Sequence, residues 1–387
     1  MYIRREAEKL VHQYLDQFSS IGIMGPHQSG KSTMIKKLLG RDYSYLTFDD
    51  FEVKALFYSD PKKFIRRYSD RIIFDEAQYI PELFPLLKQA IDEDRMKYGK
   101  FVITGSGQFL MGKHVSESLA GRIGLLPLLP MQNNEINSDH IMHPLLYGGY
   151  PELVVRDYTG YDAWYNSYIQ TYLQKDLRQM LNISDIQLFT QFIRLLAINI
   201  AQVLNLSALS RDIGISVTTL KRWLSILENS YIVFLLHPYY RNLGKRIIKS
   251  PKIYFYDSGL VSFLTGISTI EQWEKGVMYG SLFENYIISD ILKQILHNGL
   301  NYQLSFYRTS HGEEIDLIID RRSGIDLVEI KASQTYRSNF QSVFSKIKLP
   351  GSSRTVVYQG NDSEKTDEVK ARNFNSFLTD FKSSFVS

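Results

Sequence analysis

The sequence predicts a multidomain α/β protein, and three observations carry that prediction. Short apolar strands alternate with helical segments over the first 130 of its 387 residues, the pattern of a parallel sheet covered on both faces. The chain then turns helix-rich: residues 161–200 contain neither Gly nor Pro and repeat apolar positions every three or four. Strand-like pieces return from about residue 253. The expected division is a sheet domain at 1–130, a helical lid or connector at 131–200, a winged helix-turn-helix at 201–260 and a second α/β domain at 261–387.

Composition narrows the chemistry. With 44% hydrophobic residues, 26 Tyr and 22 Phe, the chain can build several cores and is not globally disordered. It has no cysteine, which excludes disulfides, Cys-ligated zinc, iron–sulfur clusters and thiol nucleophiles. Acidic Glu6 and Glu8 interrupt the start where a signal peptide would turn apolar, and no stretch approaches the roughly 18 apolar residues of a membrane span. A cytoplasmic protein that makes no membrane contact is expected.

Residues 1–20 place Leu10, Val11, Tyr14, Leu15 and Phe18 at helical spacing. A strand at 21–24 runs into Gly25-Pro26-His27-Gln28-Ser29-Gly30-Lys31-Ser32, followed by Thr33 and a helix at 32–39. This fits G-x-x-x-x-G-K-[S/T] in its required strand–turn–helix setting. The glycines let backbone amides curl around phosphates, Lys31 reaches the β and γ phosphates, and Ser32 can ligate Mg²⁺. ATP and Mg²⁺ are therefore the expected ligands, with residues 25–33 as the cradle.

Further strands are expected at 45–48, 71–74 and 101–104, with a helix at 81–98. The second of these ends in Asp75-Glu76. Asp75 suits the Mg²⁺ shell, and Glu76 is placed to polarise the attacking water of an ATPase. The third ends near Thr104 and Ser106, either of which can sense the γ phosphate. Arg122, after Gly121, has two readings: a charge-stabilising arginine acting in cis or from a neighbouring subunit, or a surface arginine.

The order of these motifs, with Phe48-Asp49-Asp50, Phe74-Asp75-Glu76-Ala77-Gln78, Thr104-Gly105-Ser106 and Leu119-Ala120-Gly121-Arg122, resembles the AAA+ division of P-loop ATPases. More narrowly, it is similar to a prokaryotic AAA+ family whose members carry a C-terminal domain of unknown function. The resemblance implies an AAA+-type parallel sheet and makes an oligomer an open expectation. No second sensor arginine stands out; Arg156 and Arg178 are the options.

Residues 204–236 read as a helix-turn-helix: Ser207 as cap of a first helix, Gly214 at the turn, and Ser216 capping a second helix with Val217, Leu220, Leu224 and Leu227 inward. Residues 231–256 would form the wing. Residues 204–256 hold eight basic side chains (Arg211, Lys221, Arg222, Arg241, Lys245, Arg246, Lys249, Lys252) against Asp212 and Glu228, a net of +6 within a whole chain of +4. DNA contact through Thr218, Thr219, Lys221, Arg222, Lys245 and Arg246 is one reading. A protein-interaction module is the other.

The C-terminal part offers Glu284 on a helix, then Asp316, then Glu329-Ile330-Lys331 on strands. Alternation puts Glu329 and Lys331 on one strand face. Asp316, Glu329 and Glu284 could surround a divalent ion while Lys331 positions a water. This order resembles the PD-(D/E)xK restriction-endonuclease-like fold, and in the family named above this region is of that type. Two readings stay open: nuclease chemistry, or an inactive scaffold whose acids and lysine form internal salt bridges. They correspond to an ATPase coupled to DNA processing and to a nucleotide-dependent switch with a protein partner.

Overall fold

The computed structural model describes residues 2–106, 118–136, 142–173, 186–239, 250–309, 312–321, 323–346, 352–366 and 369–383. Five strands form the first sheet: β1 (Ser20–Gly25), β2 (Ser44–Thr47), β3 (Ile72–Asp75), β4 (Phe101–Ser106) and β5 (Ile123–Pro127), in the order β2-β3-β4-β1-β5. Every neighbour pair is parallel, as the alternation with helices requires. Because side chains alternate along a strand, Phe74, Phe101 and Ile103 join one core, while Ile73 and Val102 join another with Leu10, Val11 and Ile35. Helices Glu8–Leu15 and Lys31–Leu39 cover that second face.

Strand β5 was not among the strands expected from sequence, and the helix expected at 81–98 spans only Leu83–Asp92. After Ile91 the chain offers no inward apolar residue in register, and Met96 stands 77% exposed, so nothing pays for another turn.

The helix-turn-helix comprises Leu206–Ile213 and Val217–Asn229. Gly214 adopts φ +77° at the turn, and the Ser216 hydroxyl caps the second helix by accepting from Thr219 N at 3.1 Å. The first helix is capped by Asn205, whose Oδ1 accepts from Ala208 N at 3.0 Å. Ser207 therefore lies inside the first turn and does not cap it. Leu220, Leu224 and Leu227 face the core, as the periodicity predicts.

The strands of the expected wing form an antiparallel pair, β6 (Val233–Leu236) and β7 (Lys252–Phe255), and this pair does not project into solvent. Its residues are almost all buried. Beyond β6 the chain runs along the next sheet, where Tyr239 N donates to Phe306 O at 2.7 Å and Phe306 N donates to His237 O at 3.1 Å. Residues 240–249, which include Lys245 and Arg246, lie outside the described residues.

That sheet contains β8 (Gln303–Arg308), β9 (Glu314–Asp320), β10 (Ile325–Lys331), β11 (Ser352–Tyr358), β12 (Ser363–Thr366) and β13 (Val369–Asn373), ordered β12-β13-β11-β10-β9-β8. β8, β9 and β10 form an antiparallel meander, and β11 joins β10 in parallel. Helix Tyr279–His297 packs against it. One apolar core runs from Phe74 through Phe192 and Trp223 to Phe283 and Phe374, so the three regions share packing. No helix of the described residues is long and apolar enough to cross a membrane.

Candidate functional site

The loop after β1 lies where the sheet's connections diverge, because β1 sits between β4 and β5. In parallel sheets this is where ligands bind. Gly25 is required by close approach: a Cβ there would stand 2.1 Å from the Leu128 carbonyl oxygen. Gly30, at φ +91°, precedes the helix that begins at Lys31. Lys31 is buried, and its Nζ donates to the carbonyls of Gly25 at 3.0 Å and Pro26 at 2.8 Å. The ammonium is thus held across the mouth of the loop. Among the described residues the buried Ser29 hydroxyl has no hydrogen-bond partner, and Thr33 is exposed on the first turn.

Asp75, at the end of β3, is the hub of the site. Its Oδ1 accepts from Ser32 Oγ at 2.9 Å and from the Thr104 hydroxyl, and its Oδ2 accepts from the Tyr45 hydroxyl. Burial, followed by the hydrogen bond to Asp75, raises the Tyr45 phenol above its ordinary pKa, so it stays a donor. Glu76 holds φ +55°, unusual for a side chain of its size. Its N–H points to Thr104 Oγ1 at 3.3 Å, and Gln78 Nε2 bridges Glu76 Oε2 at 2.5 Å and Ser106 Oγ at 3.1 Å. Both sensor options on β4 therefore touch the acidic pair: Thr104 holds Asp75, and Ser106 reaches Glu76 through Gln78. A Ser hydroxyl beside a carboxylate, ringed by further hydroxyls, is an all-oxygen set that fits a Mg²⁺ ion and its waters.

The carboxylates and lysine of the C-terminal region also converge. Lys331 Nζ lies 2.5 Å from Glu329 Oε1 and 3.5 Å from Asp316 Oδ2. Glu284 Oε1 accepts from Lys252 Nζ at 3.0 Å and from Tyr254 OH at 2.6 Å. Burial, with Asp316 adding to it and the nearby lysines opposing, raises the Glu284 pKa to about 7 and that of Glu329 to about 8. Two ammonium groups fill the space between the acids, and among the described residues no group of three His, Asp or Glu side chains is arranged to hold a metal ion.

Three family models match successive parts of the chain. Residues 17–137 match an AAA domain, residues 138–271 a domain of unknown function (DUF8612), and residues 279–377 another domain of unknown function (DUF4143). Over 359 residues the chain is 30% identical to the uncharacterized protein Rv2008c of Mycobacterium tuberculosis, covering 92% of this chain and 80% of that one. This chain belongs to the same family as that mycobacterial protein. An uncharacterized protein of Haemophilus influenzae is 21% identical over 386 residues, 89% of this chain and 90% of its own length. Among solved structures, the Walker-type ATPase PABY2304 of Pyrococcus abyssi aligns with TM-score 0.48 at 16% identity, over 68% of this chain and 96% of that one. AMPPCP-bound DnaA of Aquifex aeolicus aligns with TM-score 0.29 at 14% identity, over 59% of this chain and 89% of its own.

Within the AAA domain, Arg122 is not near its own loop. Its carbonyl accepts from Ser20 N, at the first residue of β1, whereas the loop follows the last. A strand of six residues separates them, roughly 17 Å at about 3.3 Å per residue. Its guanidinium instead grips Asp92 at 2.7 and 3.0 Å. Arg156 is paired with Glu152 at 2.6 Å on the surface, and Arg178 lies outside the described residues.

Three contributors were not singled out from sequence: Tyr45, Gln78 and Arg5. Arg5 is 4% exposed; its Nη1 donates to Ser29 O at 2.8 Å, Nη2 to Leu129 O at 2.7 Å, and Nε meets Glu135 Oε1 at 3.1 Å. It ties the phosphate loop to the segment that leaves the sheet. Beside it lies a cavity of about 70 Å³ lined by Tyr2, Ile3, Arg5, Gly30, Thr33, Met131, Pro151 and Val155. Nothing in the local sequence marks Arg5, because its partners are 24 to 130 positions away.

On the helix-turn-helix, Thr218, Lys221 and Arg222 are exposed on Val217–Asn229 and Thr219 is half-buried. The basic footprint is smaller than the sequence count, since Lys252 is 2% exposed and paired with Glu284 and Glu314.

Proposed function

We propose that this protein binds Mg²⁺-ATP in the loop 25–33 and hydrolyses it. The observation that carries this reading is the constellation at the end of β3, where Ser32, Asp75 and Thr104 share one carboxylate and Glu76 is held beside them by Gln78. Ser32 and Asp75 would hold the Mg²⁺, which supplies positive charge to the phosphates when bound. The loop amides and Lys31 bind the phosphate chain, releasing the Nζ from the Gly25 and Pro26 carbonyls. Glu76 orients and polarises the attacking water, and Gln78 with Ser106 fixes its carboxylate.

Lys31→Ala is expected to abolish ATP binding and Glu76→Gln to bind ATP without turning it over, a loss of about a hundredfold or more in steady-state turnover. Wild-type turnover in both variants would reject the assignment.

For the output of the ATPase, exposed Thr218, Lys221 and Arg222 support DNA contact through the second helix of the helix-turn-helix. A specific observation favours the switch reading over DNA processing: the two strands of the wing are buried against the C-terminal sheet, and the nuclease-like acids are paired with lysines. On that reading ATP turnover controls binding of a protein partner.

A further inference from the structure

Where the hairpin of β6 and β7 meets the C-terminal sheet, four carboxylates and three cationic side chains form one cluster. Lys252, the first residue of β7, contacts Glu284 Oε1 at 3.0 Å and is also paired with Glu314. Arg308 Nε stands 3.3 Å from Glu314 Oε2. Lys331 serves Glu329 at 2.5 Å and Asp316 at 3.5 Å, and Asp316 Oδ2 further accepts from Ile330 N at 2.8 Å. Glu284, Asp316 and Glu329 thus each have an oxygen engaged by an ammonium group or backbone, while the buried Glu329 Oε2 has no hydrogen-bond partner among the described residues.

Lys252 is not a surface side chain that could swing away. It is 2% exposed. Its backbone is held on two sides, in register with Leu236 of β6 and in a bridge with Val203. Moving its ammonium aside means breaking this pairing or leaving a buried charge without a partner, which is costly. A divalent ion placed among the same acids would also meet two ammonium groups a few ångströms away in a largely buried setting.

We infer that Lys252 is a resident cation standing where a divalent metal would otherwise bind, so that the acidic cluster fastens the hairpin to the C-terminal sheet and is not a metal-dependent cleavage centre. The fastening joins chain segments more than 30 residues apart, Lys252 to Glu284 and Glu314. It deepens the switch reading of the C-terminal domain and does not depend on ATP hydrolysis.

The test is Mn²⁺ binding to the full chain, followed by electron paramagnetic resonance without nucleotide, with Asp75→Asn present throughout to remove the carboxylate of the phosphate loop. With Lys252 in place, no stoichiometric Mn²⁺ is expected at millimolar concentration. Lys252→Gln, which keeps a donor for Glu284, is expected to gain one Mn²⁺ per chain with affinity at least about tenfold higher, and adding Asp316→Asn should remove that gain. One Mn²⁺ per chain with Lys252 present, lost on Asp316→Asn, would overturn the inference. So would equal, weak binding with and without Lys252, or Mg²⁺-dependent nicking by the wild-type chain that disappears in Asp316→Ala. If Lys252→Gln does not fold, the measurement with Lys252 present and its Asp316→Asn control decide alone. Failure of ATP turnover would change none of these outcomes.

Discussion

Arg5→Ala puts the organisation of the phosphate loop to its sharpest test. The guanidinium makes contacts of 2.8, 2.7 and 3.1 Å to Ser29 O, Leu129 O and Glu135 Oε1, and is 4% exposed. Truncation leaves two carbonyls short of a donor and a buried carboxylate without its cation. Glu135 keeps the N–H groups of Glu6 at 2.6 Å and Gln132 at 3.0 Å, which softens the loss. Breaking a buried pair costs about 3–5 kcal/mol, and the carbonyl bonds belong to the same side chain, so they do not add in full. A loss of about 3–5 kcal/mol in urea unfolding is expected. Because one bond ends on the loop itself, affinity for a fluorescent ATP analogue should fall about tenfold, near 1.4 kcal/mol. Arg5→Lys keeps the charge but not the fork, and should recover part of both effects. Arg4 supplies the control: its side chain is 79% exposed and paired with Glu8 at 3.5 Å, so Arg4→Ala should cost under about 1 kcal/mol. Arg5→Ala within about 1 kcal/mol of wild type, or with unchanged nucleotide affinity, would refute the assigned role.

Three further outcomes follow from the geometry. The Glu329 pKa stands at about 8 in the folded chain against an ordinary 4.5, so the native state holds a proton that the unfolded state releases. Its contribution is full below about pH 4.5 and is lost as pH rises through about 8; the midpoint temperature should decline over that window, Glu329→Gln should flatten the decline, and an unchanged slope would count against it. Arg122→Ala should leave nucleotide affinity within about twofold of wild type, since its guanidinium pairs with Asp92 at the far end of β1; a large loss of affinity at low protein concentration would contradict that placement. If the second helix of the helix-turn-helix contacts phosphates, Lys221→Ala with Arg222→Ala should lower the salt slope of DNA binding by about 2, and a chain that binds no duplex at low salt leaves the protein-partner reading.

What was legible in the sequence was whatever depends on short spacing. The strand–loop–helix around residues 20–39, the Asp75-Glu76 pair and the turn at Gly214 are all local, and each is encoded by residues within one or two turns of one another. The alternation of Glu329 and Lys331 likewise put both on one face, where they pair at 2.5 Å. Partners distant in sequence were not legible. Arg5 reads as one charge in an amphipathic N-terminus, although its contacts span up to 130 positions. Lys252 counted toward a basic wing because composition carries a residue's sign and not its burial. The cap at Asn205 in place of Ser207 is a shift of two residues, within the usual uncertainty of helix ends.

The burial of Lys252 and the contacts of helix Tyr279–His297 bear on one question, how a nucleotide at the loop could be felt in the C-terminal domain. One face of that helix carries Asp290, Lys293, Gln294 and His297, all buried. Three of them contact the segment after β5: Asp290 accepts from Asn133 N at 2.6 Å, Lys293 donates to Met131 O at 3.4 Å, and His297 Nε2 accepts from Leu129 N at 3.1 Å. Burial holds the His297 pKa well below its ordinary value. The ring is therefore neutral, accepts at Nε2, and can donate from Nδ1 to Gln132 Oε1 at 3.1 Å. Leu129 O also accepts from Arg5, which donates to Ser29 O of the loop. The same helix presents Glu284, near its other end, to Lys252. A single rigid element thus touches both the segment that Arg5 ties to the loop and the cluster that fastens the hairpin. Its interface is polar and hydrogen-bonded, so a displacement of the segment must break specific bonds and cannot be absorbed by sliding apolar surfaces.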